Sequence, residues 1–122
     1  MPVASVSDPH VACPACAMRE HYERIYLGTL LEHLGEEAVA QALRAAGGLC
    51  LIHLDQAGTV TRDTALLRRL VELQQVCMQA LDHELSEFIR KHDYRFSDEG
   101  MRGEGNAWIR AIELVAGKRG IR

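Results

Sequence analysis

Apolar residues recur along this chain at spacings of three and four, which is the signature of helices. Between Ala15 and about Leu34 they stand at Met18, Tyr22, Ile25, Tyr26, Leu30 and Leu34, with Thr29 among them, along one helical face. Pro14 suits the first helical position, which leaves Cys13 as the cap. Gly35 ends this helix, and Glu36-Glu37 opens a second, where acidic side chains face the positive end of the helix dipole. The second helix runs to about Ala46 and stops at Gly47-Gly48. A short helix from about Leu49 to Gln56 follows, closed by Gly58.

The longest element comes next. Leu66, Leu70, Leu73, Cys77, Ala80, Glu84 and Phe88 keep the same spacing over about six turns. Leu67, Val76, Leu81, Leu85 and Ile89 widen the stripe, and Glu84 is its one polar interruption. Thr61 and Thr64 are expected to cap this helix, with Asp63 in its first turn, so it extends over about residues 62–92. Asp93 to Gly105 reads as a glycine-containing loop, and Asn106 to Ala116 as a last helix stopped by Gly117. No segment alternates apolar and polar residues as a half-buried strand does. The pattern predicts an all-α protein, a compact bundle of four to five helices around one long central helix.

Composition adds limits. With 122 residues, 48% hydrophobic and 25% charged, the chain suits one domain with a core made of aliphatic side chains, since aromatics are only 5%. The expected division is a flexible lead-in at 1–12, a helical metal-binding domain at 13–117 and a basic tail at 118–122. No apolar run approaches the roughly 18–20 residues of a membrane span. Met1 to His10 lacks the basic and apolar regions of a secretory signal, so the expectation is a cytoplasmic protein whose cysteines are thiols or metal ligands. The net charge of −3 is uneven: residues 88–122 carry eight basic and five acidic groups. That density is too low, and too poor in interleaved aromatics, for a nucleic-acid surface.

The chemistry lies in two short motifs. Cys13-Pro14-Ala15-Cys16 is a C-x2-C, Cys50-Leu51-Ile52-His53 is a C-x2-H, and 33 residues separate them. Two chelating pairs at this spacing fit one tetrahedral Cys3His shell of Cys13, Cys16, Cys50 and His53. Each pair stands at an expected helix N-terminus, where free N–H groups favour thiolate over thiol. Four protein ligands make a closed site, which for Zn2+ is structural. The same ligands suit a [4Fe–4S] cluster as the alternative, in an electron-transfer or redox-sensing protein. Cys77, on the apolar stripe of the long helix, reads as core.

Other chemistries find less support. Cys13 to Cys16 looks like a thiol–disulfide exchange motif, but that motif belongs after a strand, and the chain offers none. A zinc-containing anti-sigma pattern needs a histidine four residues before the C-x2-C, and position 9 is proline. No histidine follows a glutamate by three residues, as di-iron bundles require. Phosphate loops, nucleophile elbows and H-E-x-x-H are absent too. The pairs Glu20–Glu23 and Glu84–Glu87, with His21, His33, His83 and His92, read as solvated surface. No catalytic residue emerges, and a small non-enzymatic metalloprotein is expected.

Near the C-terminus, Asp93-Tyr94-Arg95-Phe96 precedes Glu104, Ala107-Trp108 and Arg110-Ala111. Trp108 falls at helical spacing with Ile109, Ile112 and Val115 and is expected to anchor the core, with Arg95 pairing with Glu104 to pin the loop. Together with the two cysteine motifs, this block resembles a family of uncharacterised bacterial α-helical proteins, a domain of unknown function. That family carries Cys-Pro-x-Cys, then Gly-x-Cys-x-x-His, then Asp-Tyr-Arg before a Glu-x-x-Ala-Trp-x-Arg-Ala helix. The corresponding stretches here are 13–16, 48–53, 93–96 and 104–111. The resemblance spans 13–117 and implies that ligand set and C-terminal block form one module, without implying an activity. The width of the long helix's apolar stripe suggests a homodimer, because thin helices poor in aromatics leave part of it uncovered.

Overall fold

The computed structural model describes residues 13–118, so the expectations for the lead-in and for tail residues 119–122 lie outside the described residues. Five α-helices follow one another: α1 (Pro14–His33), α2 (Glu37–Ala45), α3 (Leu51–Val60), α4 (Thr64–Lys91) and α5 (Ala107–Ala116). Two 3-10 turns, Tyr94–Glu99 and Gly103–Asn106, occupy the segment expected to be a loop. No strand occurs among the described residues, and no helix is long and apolar enough to cross a membrane.

Local chemistry accounts for most boundaries. Cys13 is the cap of α1, with Pro14 at its start. The end of α2 is a Schellman motif: Gly48 N–H donates to Leu43 O at 2.9 Å and Gly47 N–H to Arg44 O at 3.0 Å. Both glycines hold positive φ, 84° and 81°, which a side chain would resist. α4 is capped by Asp63, whose carboxylate accepts from the amides of Ala65 and Leu66, while Thr61 Oγ1 accepts from Asp63 N–H. Asp63, expected in the first turn, is thus the cap, while Thr61 lies two residues before it and Thr64 is the first helical residue. A carboxylate accepts more strongly than a hydroxyl and also suits the dipole. α3 begins two residues later than expected and runs through Gly58 to Val60, because its face packs on α1 and outweighs one glycine's low helix propensity.

The core lies between the C-terminal half of α1, α2, α3 and the first half of α4. Leu27, Leu31, Leu34, Ala40, Leu43, Ala57, Leu70 and Leu73 form it. Small residues lie at the contact of α1 with α3: Ala57 is fully buried, and Gly28 faces Val60, where a Cβ would still make an ordinary contact at 3.6 Å. At the other end, α5 and the two 3-10 turns pack on the second half of α4. Lys91 and Glu104 pair there with side chains only 10% and 11% exposed, and Glu104 also accepts from Arg102 N–H. Arg90 pairs with Glu87 and Glu99, and Arg110 with Glu84.

Several expectations change. Arg95 pairs with Asp93, two residues away, rather than with Glu104, which takes Lys91 from the end of α4. Trp108 is 49% exposed, and the buried residue of α5 is its neighbour Ala107. A thin helix lying on α4 brings its small residue against the partner and turns the large ring outward. Glu84 and Glu87, expected as solvated, are half-buried and engaged by arginines. On the α4 stripe Leu70 and Leu73 are buried, Leu66, Leu67, Leu81, Leu85 and Phe88 half-buried, and Val76 and Ile89 exposed. Larger apolar exposure lies on α1, at Met18, Tyr22, Ile25 and Tyr26, and on α5, at Trp108, Ile112 and Val115.

One buried polar residue organises the middle of the bundle. Gln74, on α4, is 2% exposed among leucines. Its Oε1 accepts from Leu49 N–H at 2.9 Å and its Nε2 donates to Leu49 O at 2.8 Å, closing both polar groups of one peptide residue. The amide lies so close that a Cβ on Gly48 would sit 2.5 Å from Gln74 Oε1.

Two outcomes follow from this packing. Gln74→Ala leaves the Leu49 backbone groups without partners, and Gly48→Ala adds both left-handed strain and a clash. Each is expected to lower stability by about 1–3 kcal/mol in urea unfolding, and a wild-type midpoint in both would show that the contact does not hold the turn. The Lys91 ammonium, then Glu104's own backbone N–H and the Arg102 amide, hold the Glu104 carboxyl down at about 2 against the opposing effect of burial, well below its ordinary 4.5. A depressed folded value stabilises the fold above pH 4.5, and that contribution disappears as pH falls from 4.5 toward 2. Acid unfolding of Glu104→Gln should therefore be flatter than wild type across that window.

Candidate metal centre

α3 starts where the Gln74 contact leaves it. Leu49 is held from α4, and the next residue, Cys50, is the N-cap of α3 in extended conformation. Its carbonyl accepts from Leu54 N–H at 2.9 Å, which starts the helical ladder. Three residues on, His53 folds back over the cap, with Nδ1 3.2 Å from Cys50 Sγ. Both residues are half-buried. The C-x2-H half of the expected ligand set is therefore assembled. For comparison, sulfur and nitrogen ligands at the usual zinc distances in a tetrahedral shell stand roughly 3.5 Å apart.

The C-x2-C half is assembled separately. Cys13 and Cys16 lie at the start of α1, both exposed. The Cys13 thiol is held below its ordinary value, first by the Cys16 backbone amide, then by the Cys16 thiol and the Ala15 amide. These groups do not form a full capping hydrogen bond, so the effect is that of unpaired N–H groups at a helix start. Cys16 moves the opposite way: donating its S–H toward Cys13 and facing the same charge raises its value.

The two halves do not meet. Among the described residues, no three His, Cys, Asp or Glu side chains converge as a group able to hold a metal ion. The reason is visible in how α1 meets α3. The α1 residue that reaches His53 is Glu23, whose Oε1 lies 3.4 Å from His53 Nε2. Cys16 is on the same face of α1, seven residues earlier, which is about 10 Å along the helix axis. Arg19, between them, stands 3.6 Å from Glu23 Oε1. Glu23 was not legible as a site residue. The pair Glu20–Glu23 read as solvated, yet only Glu20 is exposed while Glu23 is half-buried. The signal was the helical spacing of Cys16, Arg19 and Glu23.

Beside this pair opens a groove of about 550 Å3 between α1, α3, α4 and α5, lined by Glu23, Cys50, His53, Cys77 and Arg110. Cys77 is half-buried, and burial pushes its thiol up, opposed by Arg44. It lies outside the buried core cluster and lines the groove, so the expectation of a core position is only partly met. A comparison with known protein families, curated proteins and solved structures finds no match.

Alkylation kinetics should separate the thiols. In the metal-free protein at neutral pH, Cys13 is expected to react with iodoacetamide first and Cys77 slowest, as read by mass spectrometry of peptides. Equal rates at Cys13 and Cys77 would contradict the electrostatics of the α1 start.

Proposed function

We propose that this protein is a small metal-binding helical module in which Cys13, Cys16, Cys50 and His53 close around one ion, Zn2+ in the first instance. The observation that carries this reading is the Cys50–His53 pair, held at 3.2 Å, close to the separation of two ligands on one tetrahedral ion. The second support is the state of α1. Every residue from Cys13 to Tyr22 is exposed, including the large side chains Met18 and Tyr22. A helix whose first half buries nothing has little to hold it against the bundle, and an ion shared with α3 supplies that tie. The third is the lowered Cys13 thiol, since a thiolate, not a thiol, ligates metal.

The role in this reading is structural. Four protein ligands leave no open position for a substrate, and binding to the folded chain adds directly to its stability. A [4Fe–4S] cluster uses the same donors and would make the module an electron-transfer or redox-sensing one.

One observation favours a second reading. An exposed thiol with a lowered value, followed three residues later by one with a raised value, is the arrangement of a thiol–disulfide exchanger. The Cys13 thiolate would attack a disulfide of a partner, expel one thiolate and form a mixed disulfide. Cys16, after losing its proton, would then attack Cys13 and release the partner's second thiol.

Metal analysis decides among these. Protein purified under reducing conditions, or reconstituted and desalted, should hold about one zinc per chain, and zinc should protect Cys13 from alkylation. Cys13→Ser and Cys50→Ser should each lose the ion and unfold at a lower temperature. A brown protein absorbing near about 400 nm, with iron and sulfide, assigns the cluster instead. Full loading of both variants, or no metal in the wild type with a reactive Cys13, overturns the closed site.

A further inference from the structure

We infer that α1 pairs antiparallel with α1 of a second copy of this chain, along a seam of Met18, Tyr22, Ile25 and Thr29 on the side of the helix turned away from the bundle. This surface is independent of the metal-binding reading. At about 100° per residue, Cys16 and Glu23 fall on the other side of α1 from the seam.

α1 is apolar on two opposite sides. One carries Leu27, Leu31 and Leu34, which belong to the buried core. The other carries Ala15, Met18, Tyr22, Ile25 and Thr29, spaced alternately three and four residues apart, and every one of them is exposed. That is the spacing of a coiled-coil seam. No charged side chain interrupts it: Arg19 pairs with Glu23, and Arg24 donates to Thr59 on α3. Thr29 donates its hydroxyl to Ile25 O at 3.0 Å, so its polar atom is satisfied within the helix and its methyl group is left for packing. Tyrosine and methionine without charge suit the centre of an interface better than a solvated face.

The patch has the area a pair needs, and it complements itself. Met18, Tyr22, Ile25 and Tyr26 are 48–71% exposed. Together they present on the order of 500 Å2, near the top of what a monomer leaves uncovered. Two copies joined through it bury about 1,000 Å2, the lower bound of a specific interface. About a two-fold axis between Tyr22 and Ile25, each Tyr22 faces the partner's Ile25 and each Met18 the partner's Thr29. Large side chains thereby meet smaller ones in successive layers. Because the seam is opposite the buried face, the two bundles lie on the outer sides of the helix pair. Neither other apolar surface matches this one. Of the large α4 residues that suggested a dimer in the sequence, only Val76 and Ile89 are exposed, and they stand more than about three turns apart. On α5 the exposed side chains from Trp108 to Val115 run for about two turns, against about three on α1.

Sedimentation velocity with a chelator present, so that no ion contributes, is the test. At micromolar concentration the wild type should sediment at twice the 13.6 kDa chain mass and dissociate on dilution. Tyr22→Glu and Ile25→Lys should each sediment as monomers with the helical circular dichroism of the wild type, since both side chains are exposed in the folded chain. An equimolar mixture of the two variants should recover the doubled mass, because the introduced carboxylate then faces the introduced ammonium across the seam. A monomeric wild type, or a doubled mass kept by both variants, overturns the interface. Variants that remain monomeric when mixed overturn the antiparallel pairing. Loss of the doubled mass in Ile112→Lys, with the α1 variants still paired, places the contact on α5 and overturns the inference as well.

Discussion

A single side-chain amide fixes where the second half of the candidate site begins. Gln74 reaches from the middle of α4 to the backbone of Leu49 and satisfies its N–H and C=O at once. Removing a glutamine from water is unfavourable unless its donor and acceptor both find partners, so this contact has one register and no near alternative. Everything adjacent follows from it. Gly48 must lack a side chain because the amide occupies that space, and with Gly47 it must turn through positive φ to bring Leu49 there. Cys50 is next in the chain and becomes the cap of α3, and His53 is one turn further. A hydrophobic residue at 74 would fill the core equally well, but it would leave the turn without a defined position.

How far the sequence discloses this differs by level. The helices follow from spacing and punctuation, because proline at an N-terminus and glycine at a C-terminus act locally. Where tertiary contact outweighs a local preference, the reading departs from the structure, as at Gly58, which α3 absorbs because its face is packed on α1. Side-chain pairing is harder still. Arg95 and Glu104 have opposite charges and a plausible separation, yet each has a nearer partner, in Asp93 and Lys91. Periodicity marks Trp108 as apolar but does not say which side of a short helix meets its neighbour, and Ala107 occupies the contact.

The site divides in the same way. The two motifs, Cys13–Cys16 and Cys50–His53, are plain in the sequence because ligands within one helical turn have a fixed short spacing. The side chains that meet them from other helices are not. Glu23 lies 30 residues from His53 in the chain, and Gln74 lies 25 from Leu49. Both are polar side chains whose meaning depends on a helix crossing. Gln74 did leave a trace: it lies four residues after Leu70 and three before Cys77, so Glu84 is not the one polar interruption of the apolar stripe, and a glutamine there is out of place unless something across the interface needs it.

The order in which the chain is synthesised acquires significance from the Gln74 contact. All four candidate ligands are present once the first 53 residues exist, and two of them are exposed thiols at the start of α1. The turn that presents the other two is fixed only when Gln74 has been made, 21 residues later. Until then Leu49 has no partner on α4, and the Cys50–His53 pair has no defined orientation. During translation the nascent chain thus carries reactive sulfurs before it carries the clamp that arranges their counterparts. The bundle has to be closed around α4 before those donors occupy their places, so the long helix sets the timing of assembly as well as its shape.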